Sequence, residues 1–240
     1  RYAFAAALRD ILGPVVGRRR VLRALFGIQL RTFRPANLSL ATMEAIDRIP
    51  SVPVRLGDAS WNGWTLGDGD VQVWEAGAHA PGDLVVYLPE PRLLCTGDIT
   101  FPLFPTFGDS SRARILAVLE QCSIMAGDGL VEYLVDGHAD RCFRGAAEVK
   151  SVLDRLAGDH LAFEDILRTS LLAADGLTSA ELYTAFAAAP DQPVVQRYLD
   201  LEFPRSPPSL QNVIVNTVLQ LGIEPRGPAG RQRFYGPVPA

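Results

Sequence analysis

Between Ser60 and Asp140 the chain is cut into short strand-forming runs by Gly, Pro and Asp turns, and three of those runs lead into a histidine or an aspartate. "SWNGWTLGDGD" and "VQVWEAG" are strand candidates joined across Gly67-Asp68-Gly69-Asp70, a good hairpin signal. "DLVVYL" and "RLLC" follow, joined by "PEP", where proline sets φ and cannot continue a ladder. "SRARILAVLEQCSIMAGDG" has helical spacing, with Asp109 or Ser110 as its cap and Gly127 at its close. "LVEYLVDGHAD" then reads as a short, almost wholly apolar strand, expected to be buried on both faces. Strand, helix, strand in this order argues for an α/β fold whose strand ends carry functional loops.

The flanks are different in character. Arg1 to about Leu30 is helical in pattern, broken at Gly13-Pro14, and Arg18, Arg19, Arg20 and Arg23 read as a solvated helix face rather than an anion-binding patch. The stretch from Arg34 to Ser60 is loop-rich, its prolines ruling out a long regular element. From Ala146 the chain turns helical again. "GAAEVKSVLDRLAGDHLAFEDILRTSLLAADG" is one long helix or two broken at Gly158, and Thr178 with Glu181 forms a capping box for the next. "SPPSLQNVIVNTVLQLG" is a further helix, and "RGPAGRQRFYG" suggests a closing hairpin, a winged-helix-like outline. Two domains are expected, residues 1–157 and 158–240.

Composition narrows the function. The chain has 240 residues, 48% of them hydrophobic and 21% charged, which suits a soluble globular protein with a sizeable core. A net charge of −4 gives no general attraction to nucleic acid, and the last helix carries no Lys or Arg. No apolar run reaches the roughly 20 residues of a membrane helix. Cys95, Cys122 and Cys142 are widely spaced and odd in number, which favours a reducing compartment, the cytoplasm.

The three histidines are His79, His138 and His160. His79 follows "VQVWEAG", Asp98 follows "RLLCT" and His138 follows "VEYLVD", so three strand ends present groups that bind zinc-like cations through imidazole nitrogen or carboxylate oxygen. His160 lies mid-helix and reads as structural or surface.

The motifs "GAHAPGD", "CTGD" and "DGH", in that order, resemble the second half of the metallo-β-lactamase superfamily over roughly Trp64 to Asp140. Ala80 replaces the more usual threonine. The resemblance implies an αββα sandwich, incomplete at the N-terminus, with C-terminal helices like the accessory segment that several members place over the active-site mouth. By carry-over His79 is similar to the third histidine of the first metal site, Asp98 to the carboxylate bridging both metals, and His138 to the last histidine of the second. Two zinc ions are implied in a complete site, with iron or manganese as other candidates. Asp98 is the catalytic candidate, because two cations sharing it would lower the pKa of a water between them. The implied activity is hydrolysis of an ester, thioester, lactone, β-lactam, sulfate ester or phosphodiester in a small-molecule substrate. Alkylsulfatases of the superfamily carry acidic residues where this chain has His79, which counts against that branch. Asp136 and Asp140 either orient His138 or solvate its loop, and "FPLFPTFGDSS" either walls an apolar pocket or packs in the core.

One departure is large. The family's H-x-H-x-D-H signature is absent, and no histidine precedes His79. A catalytic zinc normally has three protein ligands and an open position, so each half-site falls short. The signature is expected upstream of Arg1, with weak metal binding and little turnover by these residues alone. The alternative is a degenerate, non-catalytic scaffold that binds a partner.

Overall fold

The computed structural model describes residues 50–56, 59–100, 109–137, 142–189, 191–200, 207–228 and 232–236. The chain divides into two units at Pro50/Ser51, and nearly all described residues fall in the second. The helical reading of residues 1–30, with its four arginines, lies outside them, as do the loop 101–108, His138 and Asp140.

Among the described residues seven strands form one sheet in sequence order: β1 (Val52–Leu56), β2 (Ala59–Leu66), β3 (Val71–Glu75), β4 (Leu84–Leu88), β5 (Leu93–Cys95), β6 (Tyr133–Val135) and β7 (Cys142–Arg144). All neighbours are antiparallel except β5 and β6, which are parallel and joined through helix α1 (Arg112–Gly127). The mixed sheet with its crossover helix makes this an α/β fold. The β2–β3 hairpin turns on residues 67–70 as expected, closed by the Asp70 N–H donating to Gly67 O.

Sequence reasoning missed β1. A strand of five residues survives Pro53 because, among the described residues, it pairs on only one side, where a missing N–H costs no ladder bond. It also missed β7, whose three residues form a strand only through pairing with β6. β6 itself is not buried on both faces. Leu134 is fully buried while Tyr133 is exposed and Val135 half-buried, because only Leu134 faces the helices.

That helix-covered face carries Val54, Trp74, Val85, Tyr87 and Leu94, packed against Ile115, Leu119 and Cys122 of α1. Strand alternation turns Trp64, Val73, Val86, Cys95 and Val135 to the other face. Helix α2 (Ala146–Leu172) is one continuous element with no break at Gly158. Its apolar stripe gives Val149, Leu153 and Leu156 to the first core and Phe163, Leu167 and Leu171 to a second. Ala157 and Gly158 lie on the helix between the two sets.

The second core is closed by α3 (Ser179–Ala187), α4 (Pro193–Leu199) and α5 (Pro207–Gln220). The expected capping box is present: Thr178 and Glu181 bond reciprocally at the start of α3. Helix α4, seven residues long, has no counterpart in the sequence reading. Phe163, Phe186 and Tyr198 pack edge-to-face or tilted in this core, ring centroids 5.0 to 6.1 Å apart. Among the described residues the closing hairpin consists of isolated bridges, Leu177 with Phe234 and Arg226 with Arg233. No described helix is long and apolar enough to cross a membrane.

Candidate metal half-site

The loop after β3 bends back at once. Ala76 and Gly77 N–H both donate to Asp83 O, and the Asp83 carboxylate accepts from Ala80 N–H at 2.9 Å. Gly77 has φ of +52°, a left-handed conformation that suits glycine. This tight loop holds the His79 imidazole, its side chain 12% exposed, just beyond the end of β3.

The first turn of α1 holds the loop from outside. Ser110 Oγ donates to His79 O at 2.5 Å, and Ser111 N–H donates to Ala78 O at 2.7 Å. The Arg114 guanidinium lies 5.8 Å from the Trp61 ring centroid and donates to the carbonyls of Glu75 and Ala76. Four carbonyls of the segment that carries His79 are therefore bonded to one helix end. This also corrects the expected cap. Ser110 spends its hydroxyl on His79, and Ser111 is the N-cap, accepting from Arg114 N–H.

Asp98 stands in a short 3-10 turn, Gly97–Thr100, directly after β5. Its Oδ2 is 3.9 Å from His79 Nε2, although the residues come from different strand ends. The end of β6 arrives at the same place. Gly137 N–H donates to Gly97 O at 2.9 Å, and a Cβ on Gly137 would meet Asp98 Oδ1 at 2.8 Å. Gly137 is the residue before His138, which lies outside the described residues. Asp136, two residues before His138, is buried.

Two ligands about 2.1 Å from a tetrahedral zinc are roughly 3.4 Å apart. The observed 3.9 Å exceeds this by about half an ångström, which side-chain torsions can close. An imidazole with a carboxylate also suits a zinc-type divalent cation chemically. Among the described residues no group of three His, Cys, Asp or Glu side chains is placed to hold an ion; His79 and Asp98 are a pair of candidate ligands.

Burial shifts two other titratable groups strongly. His160 is buried on α2, and burial together with the Arg112 charge pushes its pKa down to about 3. Cys95, Cys122 and Cys142 are free thiols. Burial pushes the Cys122 pKa up to about 12, which keeps it from acting as a thiolate ligand near neutral pH. Sequence reasoning found His79 and Asp98. It missed the roles of Ser110 and Arg114, whose only local signal was a position just ahead of, or inside, a helix start.

No family model matches the sequence, and no curated protein matches it. Solved structures do. A metallo-beta-lactamase family protein from Thermus thermophilus is similar at 20% identity and a TM-score of 0.46, over 95% of this chain and 67% of that one. A double mutant of the sec-alkyl sulfatase PisA1, from Pseudomonas sp., is 17% identical with a TM-score of 0.45, over 75% of this chain and 26% of that one. A beta-lactamase domain protein from Burkholderia ambifaria is 16% identical with a TM-score of 0.43, over 78% and 50%. The chain thus spans between about a quarter and two thirds of these structures' lengths.

Proposed function

We propose that this chain carries part of the metal site of a metallo-β-lactamase-type hydrolase. The observation that supports it is the convergence of His79 Nε2 and Asp98 Oδ2 to 3.9 Å, with Gly137 against the second carboxylate oxygen. In this reading His79, Asp98 and His138 would hold the metal, with Asp98 as the ligand shared between two cations, and residues 1–157 would form the metallo-β-lactamase-like domain and 158–240 an accessory module. Zinc is the proposed metal, with iron or manganese as alternatives. A divalent cation held there would supply Lewis-acid chemistry for hydrolysis.

The chain's own residues do the rest. Asp98, near the start of its turn, presents one oxygen to His79 and the other to the Gly137 strand end, so each oxygen would be available to hold a cation. Gly137 leaves it room to do so. The α1 turn fixes the His79 backbone, so the imidazole is positioned before any ligand arrives. The substrate is proposed to be a small molecule with an ester, thioester, lactone or related bond, in a cytoplasmic setting that keeps the three thiols free.

The donor count limits the activity. A complete site requires further ligands than His79, Asp98 and His138, so the proposal is weak binding of metal and little turnover by these 240 residues. Zinc titration of the protein and of His79→Ala and Asp98→Ala is the test. Each substitution is expected to weaken zinc binding about tenfold or more, roughly 1.4 kcal/mol. Affinity unchanged in both variants refutes the site. The missing H-x-H-x-D-H signature leaves a second reading, a non-catalytic scaffold, which predicts that zinc stays below one equivalent at any accessible concentration.

A further inference from the structure

We infer that Gln220, the last residue of α5, is a positioning residue for the His79 loop. Its side chain reaches across more than a hundred residues of sequence to the start of α1. There Oε1 accepts from Arg112 N–H at 2.9 Å, and Nε2 donates to Ser110 O at 2.8 Å. The amide uses both ends at once, on backbone atoms of residues 110 and 112. Reversing it would set N–H against N–H and oxygen against oxygen, so the pairing has one orientation.

The backbone atoms it takes are the ones that matter to the site. Arg112 N–H is one of the first donors of α1, which have no partner within the helix. Ser110, bound through its carbonyl to Gln220, donates its hydroxyl to His79 O, and Ser111 between them donates its N–H to Ala78 O. A chain of hydrogen bonds therefore runs from Gln220 through Ser110 to His79. The far end is anchored as well. Val213, Ile214 and Val218 of α5 are fully buried in the second core, which sets the place of Gln220 at the helix end. The Arg112 side chain pairs with Glu164 of α2, so the α1 start is held from two helices. The C-terminal helices thus act on the His79 loop by holding the helix turn that holds it.

Neither glutamate nor alanine replaces this function. Glutamate keeps an acceptor for Arg112 N–H but has no donor for Ser110 O and sets a negative charge against it. Alanine keeps neither bond.

The role in metal binding rests on the proposed site; the role in fixing the loop does not. The experiment is backbone amide exchange on the full chain, comparing the native protein with Gln220→Ala, Gln220→Glu and Ser110→Ala. Ala76, Gly77 and Asp83, whose N–H groups are bonded within the loop, and Ser111, bonded to Ala78 O, report loop opening. Both Gln220 variants should speed exchange at these four amides about tenfold, while Val85 and Leu134 in the sheet keep their native rates. Ser110→Ala, which leaves Gln220 its backbone partners, should loosen the loop amides but protect Ser111 better than Gln220→Ala does. Loop amides within about twofold of native in both Gln220 variants overturn the inference. So does a uniform increase across the protein, which marks Gln220 as a general stabiliser. Should Gln220→Ala fail to fold, Gln220→Glu and Ser110→Ala carry the same comparison. Zinc titration separates the two claims: Gln220→Ala should weaken zinc about tenfold in the native background and not at all in His79→Ala. If His79→Ala itself leaves zinc binding unchanged, the metal reading fails and the exchange result still decides Gln220.

Discussion

Gly137→Ala perturbs the proposed half-site by crowding Asp98 and Gly97. Gly137 does not have positive φ, so alanine meets no backbone penalty there and the effect is steric. The new Cβ would stand 2.8 Å from Asp98 Oδ1 and 3.1 Å from both Cα and C of Gly97. Carbon–oxygen contacts relax to about 3.3 Å or more, so the carboxylate must retreat by about half an ångström. The Gly97 backbone is tied to the same residue by a 2.9 Å hydrogen bond and yields less readily. Overpacking of this kind costs about 1–3 kcal/mol. The low end is expected, because the Asp98 side chain is 39% exposed and can swing outward. A cost of about 1 kcal/mol lowers Tm by roughly 2–4 °C in a domain of this size. Metal binding should suffer more than stability, since ligand sets tolerate displacements of only about half an ångström. We expect zinc affinity to fall about tenfold, roughly 1.4 kcal/mol. Differential scanning calorimetry gives the first quantity and competition with a chromophoric chelator the second. Gly82→Ala, where a Cβ meets nothing within 4 Å, is the control and should alter neither. Native zinc affinity in Gly137→Ala would refute the placement of Asp98 at the ion, and equal losses in both variants would refute the steric argument.

Two further outcomes follow from the helices. Gly158 lies exposed in the interior of α2 with nothing within 4 Å of a Cβ, so Gly158→Ala should stabilise the protein by about 0.5–1 kcal/mol, read as a Tm rise of roughly 1–4 °C. An unchanged or lower Tm would contradict a continuous helix there. The His160 pKa is pushed down to about 3 in the fold against about 6.5 unfolded. Between those values the unfolded chain holds a proton that the native one does not, so this contribution to stability is constant above about pH 6.5 and is lost as pH falls. The loss is about 2 kcal/mol between pH 6.5 and 5. Urea midpoints at about pH 7 and 5 should show a smaller drop in His160→Gln than in the native protein, and equal drops would show that His160 is not buried neutral.

Local signals were sufficient wherever one short segment decides its own structure. The turn at residues 67–70, the start of α3 at Thr178 and Glu181, and the apolar stripe of α2 are all of this kind. The misses depend on partners distant in sequence. Pro53 argues against a strand until its pairing with β2 is known, and Cys142–Arg144 carries no pattern of its own. A serine just before a helix is usually its cap, yet the Ser110 hydroxyl goes to His79, 31 residues earlier. The His79–Asp98 pair was legible because each residue follows a strand, and one sheet brings those strand ends to the same side. The support from Arg114 and Gln220 was not, because a side chain that bonds another segment's backbone leaves no spacing to read.

Proton NMR of the cobalt-loaded protein tests the shared cation pocket most directly, since imidazole N–H resonances of metal-bound histidines are shifted far outside the normal range. Two such resonances are expected, one lost in His79→Ala and the other in His138→Ala, with both displaced in Asp98→Ala. A cobalt-loaded spectrum without shifted imidazole signals, or signals that survive both histidine substitutions, would contradict it.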